Sequence, residues 1–558
     1  MNDKRKQAEL LAAIAEEQKA ELFRSPDGET TYATVPVGRH YETWPIRSKG
    51  FKRWLVYHFF RREGKPPGHQ ALADALGLLE AWAQFGGAVY PVSVRVAGSG
   101  GAIYIDLGDA EWRGVEITAT GWDITANLPV KFRRPRGIQP LPVPVGGGSL
   151  DAVREFLNLA DDDQWRLLAG ALVGALRPDE PHAVLTLQGE QDSGKSTAAK
   201  ILRRLIDPNT ADLRTKPRDE RDLIIAANNG WLISIDNVSF LDLWLSDALC
   251  RLTTGAGFGT RELYENMDEI LFEGMRPITL NGIEQFVVRG DLLDRTLLLD
   301  LPSLQEGRRR PATEFWQAFW VAQPRILGAL YSAVSCAIRR RDSVQLDSLP
   351  RLADLAIFVT AAAPALGWPE LAFVEAYTEN RANASNVAIE ASAVALALRD
   401  LAGDGEWNGT ATDLLAKLTT LVSDTTRKEK GWPKSAQALS GAIRRLAPNL
   451  RKLGIGITFE REGKDRKRLV RVKKIEEEER RPPGPPDQAA TTADANAQTP
   501  SAANLARNKG SDRADAMDAK IAAQSHSEHP ADAMVAAPDA DEDSVPRWVQ
   551  GDIEEVPL

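Results

Sequence analysis

Residues 183–206 read AVLTLQGEQDSGKSTAAKILRRLI. An apolar run comes first, a glycine-framed loop follows, and a helix-forming segment closes the stretch. The loop GEQDSGKS at 189–196 matches G-x-x-x-x-G-K-[ST]. Gly189 and Gly194 let the backbone curl so that successive N–H groups of Glu190, Gln191, Asp192 and Ser193 face one anion. Lys195 supplies a mobile point charge, Ser196 a hydroxyl for a hard cation, and the helix opening at Thr197 adds its positive end. Strand, loop and helix in this order predict an α/β core with a P-loop that takes ATP and Mg²⁺.

Three further segments extend the reading. WLISIDN at 231–237 is an apolar strand ending in Asp236, a carboxylate for the magnesium that Ser196 shares. PITLNGI at 277–283 ends in Asn281, which can orient water or sense a γ-phosphate; Asn-Gly also reads as a turn. DLLDRTLLLDL at 291–301 sets Arg295 before a fourth apolar strand. There it can act as an arginine finger on a neighbouring subunit, or as a surface ion-pair partner.

The order GEQDSGKS, LISIDN, LTTGAGFGTRELYENMDE, PITLNG, DLLDR resembles the A, B, B′, C and arginine-finger series of superfamily 3 helicases. More narrowly, it is similar to the AAA+ ATPase module of phage and plasmid replication proteins, often joined to primases. The resemblance covers about 187–302. It implies catalytic roles for Lys195, Asp236, Asn281 and Arg295. It also implies a hairpin around Gly255, Gly257, Arg261 and Tyr264 that grips single-stranded DNA in the channel of a hexamer. One position departs from the pattern. Asn237 stands where related ATPases carry a second acid; an amide cannot accept a proton from water, and Glu190 or Asp242 are the candidates to replace it.

The rest of the chain is read as five further regions: a helical lead-in at 1–25, an N-terminal α+β domain at 26–148, a helical lid region at 303–383, a smaller unit at 384–475 and a disordered tail at 476–558, around an ATPase core at 149–302. In the second of these, YATVPVG and WLVYHFF read as strands, HQALADALGLLEAWAQF as a helix, and VSVRVA, AIYIDL, VEITAT and WDITA as a meander. KFRRPRGIQPLPVPVGGG at 131–148 reads as a polyproline-like linker with a glycine hinge, its Lys131, Arg133, Arg134 and Arg136 a weak nucleic-acid candidate. In the smaller unit, helices NVAIEASAVALALRDL, GTATDLLAKLTTLV and KSAQALSGAIRRLAPNL precede two strands, an order similar to a winged helix. Its candidate DNA contacts are Arg444, Arg445, Lys464, Arg466, Lys467 and Arg468. A solvated basic hairpin is the alternative.

Composition excludes more than it assigns. With 43% hydrophobic and 26% charged residues among 558, the chain has an ordinary globular balance. Cys250 and Cys336 make neither a disulfide framework nor a zinc ribbon. No signal segment or bilayer span is read, so the expected location is cytoplasmic. The net charge of −9 resides in the tail, where 14 acidic and 5 basic residues follow from Pro482 onward. A nucleic-acid surface must therefore come from local clustering. The expectation is a DNA-dependent ATPase, a homo-oligomeric helicase-like motor of a mobile element acting on single-stranded or replication-fork DNA. An ATP-controlled switch of defence type with little turnover is the alternative.

Overall fold

The computed structural model describes residues 2–475, apart from 256, 262–268, 273, 284–285, 288, 306, 308, 391, 429–431 and 463–466. The chain divides into units Met1–Gly484 and Pro485–Leu558, and the described residues all belong to the first. The 476–558 tail lies outside them.

Four strands form a parallel sheet in the spatial order Ile233–Ile235, Ile278–Asn281, Val184–Gln188, Thr296–Asp300. Near-continuous apolar runs suit it, because a parallel sheet is covered on both faces. Val184 pairs with Thr296 and Gln188 with Asp300, so the glycine loop leaves the same sheet end as Asp300. The sheet edges are closed by other parts of the chain. Arg214 makes a parallel bridge to Ile235 at one edge. At the other, Asn380 on helix Ala372–Glu390 accepts from Leu298 N at 3.0 Å and donates to Leu298 O at 2.5 Å. The outward backbone groups of Leu298, at the middle of that edge strand, are thereby taken from strand pairing.

Helix Ala312–Arg340 is the hub of the main core. It is long and apolar enough to cross a membrane by length and composition, and 61% of its apolar window is buried inside the protein. One side packs on the meander Val96–Ser99, Ala102–Asp106, Gly114–Thr118, Gly121–Thr125. There Trp122 Nε1 donates to Ser332 Oγ at 3.1 Å and Ser335 Oγ to Thr118 O at 2.7 Å. Ile105, Val115 and Ile117 share one buried cluster with Leu185, Leu187 and Phe319. The residues before the meander have a separate core, built from Leu11, Ile14, Val35, Phe51, Leu55 and Leu79. Residues 26–148 therefore divide between these two cores and a small third cluster of Ala97, Ala102, Tyr104 and Phe132. Helix Asn2–Glu17 is part of the smaller one, not a lead-in to it.

Three readings of the sequence change. WLVYHFF lies inside helix Lys49–Glu63, not in a strand. Its aromatic and β-branched content favours a strand, but Ser48 accepts from Phe51 N at the start and Gly64, at φ 69°, ends it. Segment 131–148 is a packed strap rather than a free linker. Gln139 N donates to Pro208 O at 2.9 Å, Leu141 N to Leu107 O at 2.8 Å and Val145 N to Pro324 O at 2.9 Å. A Cβ on Gly148 would stand 2.3 Å from Arg325 O, so this glycine serves close approach and not a hinge. The helix read from Asn386 is broken at Ser392, whose side chain accepts from Ala395 N and starts a new helix, Ala393–Asp404.

The rest of the 384–475 region packs helices Ala393–Asp404, Ala411–Leu421 and Ala436–Lys452 against a three-stranded antiparallel sheet. Strand Lys467–Lys474 is central, between Ile455–Glu462 and the short Trp407–Thr410. The last of these was not read from sequence, because WNGT lacks the alternation that marks a strand. Leu398, Leu418, Ile443, Ile457 and Val472 form its core.

Candidate functional site

The loop between strand Val184–Gln188 and helix Lys195–Ile206 turns through positive φ at Gly189 (143°), Asp192 (64°) and Gly194 (87°). A Cβ on Gly189 would meet Leu301 O at 2.4 Å, so both φ and space require glycine there. Lys195 folds over the loop. Its Nζ donates to Gly189 O at 2.8 Å, Glu190 O at 2.5 Å and Ser193 Oγ at 3.1 Å. Burial pushes its pKa down, while Asp192 and Asp236 oppose that shift. Asn158 steadies the loop from outside, donating to Ser193 O at 3.2 Å and to Pro302 O.

Ser196 Oγ donates to Asp236 Oδ1 at 3.1 Å, so the two oxygens read as cation ligands are neighbours. Next to them, Asn281 Oδ1 accepts from Asn237 N at 2.9 Å. Asn281 is 2% exposed, and its Nδ2 is buried without a partner among the described residues. The backbone repeats this pinning: Val238 N donates to Asn281 O at 2.8 Å and Gly282 N to Leu187 O at 3.1 Å. Strand ends carrying Asp236, Asn281 and the loop are thus stitched into one edge. Asn237 is held at φ 55°. Of the acids considered as its replacement, Asp242 pairs with Lys216 at 3.1 Å and Glu190 accepts from Ser303 Oγ at 2.8 Å.

Arg295 lies apart from this cluster. Its backbone O accepts from Val184 N, at the start of the loop-bearing strand, and its NH1 donates to Asp291 O at 2.7 Å. Lys195, Ser196, Asp236 and Asn281 gather at one end of the sheet; Arg295 is at the other.

A cavity of about 710 Å³ adjoins the loop, lined among others by Asp192, Gly194, Thr197, Arg309, Phe315 and Trp316. Arg309 pairs with Asp192 at 3.3 Å, and Arg204 lies over the Trp316 ring at 4.0 Å. Of these residues the sequence reading missed Arg204, Arg309, Phe315 and Trp316. The signal available was the basic run at 308–310 directly before an aromatic-rich helix. Among the described residues, no group of three or more His, Cys, Asp or Glu gathers.

The candidate DNA residues separate into three sets. Phe258–Arg261 and Glu269–Phe272 pair antiparallel, with Arg261 opposite Glu269. The side chain of Arg261, and Tyr264 with the turn, lie outside the described residues. Arg444 and Arg445 are exposed on helix Ala436–Lys452, with the Arg444 guanidinium 5.0 Å from the Phe459 ring centre. Arg468 is exposed on the central strand; Lys464, Arg466 and the Lys467 side chain lie outside the described residues. Segment 131–136 is different. Lys131 pairs with Glu21 at 2.5 Å and Arg134 with Asp106 at 2.6 Å. Arg133 donates to Asn228 O, and burial lowers its pKa. Three of its four cations are engaged inside the fold, so it is corrected from a nucleic-acid candidate to a structural clamp.

No curated protein matches the chain. Among solved structures it is similar to the A-form apo structure of the NrS-1 C-terminal region, at 13% identity and a TM-score of 0.37, over 83% of this chain and 98% of that one. It is also similar to the A-form apo structure of that region's residues 305–718, at 13% identity and a TM-score of 0.33, over 57% and 68%. Likenesses this distant carry no argument here. Residues 150–381 match the family described as actinomycete integrative conjugative element replication protein. Residues 393–491 match the C-terminal domain of the same RepA family. The two matches together take in more than half of the sequence, and the chain belongs to the replication proteins of actinomycete integrative conjugative elements.

Proposed function

We propose that this replication protein is an ATP-binding, DNA-dependent ATPase, built on a superfamily 3-like P-loop core and working as an oligomeric helicase-like motor. The observation that carries the reading is the Ser196–Asp236 contact, with Lys195 preceding Ser196 and Asn281 bonded to the backbone of Asn237, next to Asp236. A hydroxyl and a carboxylate are hard oxygen ligands that suit Mg²⁺, which keeps most of its remaining positions for water and phosphate. When bound, the ion supplies charge neutralisation on the β- and γ-phosphates. The protein's own part is to hold and orient. Loop N–H groups bind the phosphates, and the Lys195 ammonium exchanges two carbonyls for phosphate oxygens. The buried Nδ2 of Asn281 is a donor in need of an acceptor. The cavity beside Thr197, with Phe315, Trp316 and Arg309, suits the rest of the nucleotide.

Arg295, at the far end of the sheet from its own loop, suits a contact made to a neighbouring subunit. The three-helix unit with its antiparallel sheet suits a winged helix, with Arg444 and Arg445 toward phosphates. Phosphate release measured with and without single-stranded DNA tests the proposal. We expect DNA to raise the rate and Lys195→Ala to abolish it. A monomeric protein whose rate ignores DNA would sink the motor.

Asn237 favours a second reading, an ATP-controlled switch with little turnover. Its amide cannot act as a base, and both alternative acids have other partners. Binding of ATP without steady-state hydrolysis, under conditions where DNA is bound, would select the switch.

A further inference from the structure

Helix Lys49–Glu63 buries Phe51, Trp54, Leu55 and Phe59. Those positions lie three, four and eight apart and share one face. By the same spacing the outward face carries Lys49, Arg53, Val56, Tyr57, Phe60 and Arg61. Tyr57 is 59% exposed and Phe60 51%. They border a shallow groove of about 390 Å³ shared with Lys52, Arg53, Val56 and Pro66. Single exposed apolar residues are ordinary, but clustered ones mark an interaction surface.

The charges around the rings say which partner fits. Arg62, turned aside, is paired with Glu17 at 2.7 Å. Among the described residues, Lys52, Arg53, Arg61 and Lys65 have no acidic partner. Two copies of this face would set cations against cations, which disfavours self-association. A polyanion with flat apolar faces complements it instead: bases stack on exposed rings while cations on either side meet the backbone.

We propose that this face is a platform for single-stranded DNA, with Tyr57 and Phe60 stacking on bases and Lys52, Arg53 and Arg61 meeting phosphates. The choice of DNA rests on the family of replication proteins; the platform itself needs neither bound ATP nor the 384–475 region.

The test is fluorescence anisotropy of a labelled oligothymidylate with the full chain and no nucleotide, so the outcome does not depend on ATP turnover. Tyr57→Ala with Phe60→Ala is expected to weaken binding about tenfold or more, and the Trp pair at the same positions to restore it. Both side chains are half exposed, so an unchanged melting temperature identifies a folded variant. Arg53→Ala with Arg61→Ala should weaken binding and flatten the salt dependence by roughly 0.7 in log–log slope per lost phosphate contact. Affinity of the Tyr57/Phe60 variant within about twofold of the parent overturns the platform. So does a changed sedimentation coefficient with DNA affinity intact, which would assign the face to a second copy of the chain.

Discussion

Two basic regions of this chain have similar composition and opposite surroundings. In the strap, Arg134 is 12% exposed and faces Asp106, itself 1% exposed. Lys131 reaches back to Glu21, and Arg133 to a backbone carbonyl. In the 384–475 region, Arg444, Arg445 and Arg468 are exposed and have no acidic partner among the described residues. The acids that engage the strap come from strands 28 to 110 positions away, as the Arg134–Asp106 and Lys131–Glu21 separations show. A run of cations therefore does not by itself declare a ligand. What decides is whether the fold returns a carboxylate to it.

The largest expected effect that sharpens this contrast is Arg134→Ala. It leaves the Asp106 carboxylate buried without its partner, which costs about 3–5 kcal/mol. Urea unfolding would measure it, and DNA affinity below the midpoint should not change. A loss under about 1 kcal/mol would break the distinction from the strap's side. Next comes Arg444→Ala with Arg445→Ala. Here the unfolding midpoint should hold, while affinity for DNA falls on the order of tenfold at moderate salt and its salt dependence flattens. Unchanged affinity would make this surface a solvated face. The smallest effect is Lys131→Ala. Its partner Glu21 is 44% exposed, so the pair is worth less than about 1 kcal/mol.

The contrast also bears on what was legible in the sequence. The loop, Asp236 and Asn281 could be read because each ends an apolar run, and parallel strands bring their C-terminal ends to one edge of the sheet whatever their spatial order. The sequence offers Asn281 as a group that orients water or senses a γ-phosphate, or as a turn residue; the fold adds that its oxygen is already committed to Asn237 N, leaving the amide nitrogen. The strap was not legible, because its partners are long-range. Helix Lys49–Glu63 was misread in part because strand propensity is a local quantity, whereas Ser48, Gly64 and burial of one face decide the outcome. The cavity wall at Arg309 and Trp316 was missed for the same reason: 192 and 309 meet only in space.

The shared core of the meander and the parallel sheet separates two kinds of boundary. The family match begins at residue 150, but the buried core it shares reaches back to Val96. Arg95 Nε lies 3.2 Å from Asp207 Oδ1, and Arg203 approaches the other oxygen at 3.3 Å, both arginines almost wholly buried. Arg203 belongs to the helix that starts at Lys195. The family-matched stretch thus ends the helix that follows its glycine loop against a residue upstream of itself. A chain severed at 149 would uncover the meander face of the hub helix and leave Asp207 with one buried arginine. The stretch that matches the family and the stretch that closes one buried core are, in this protein, different lengths of chain.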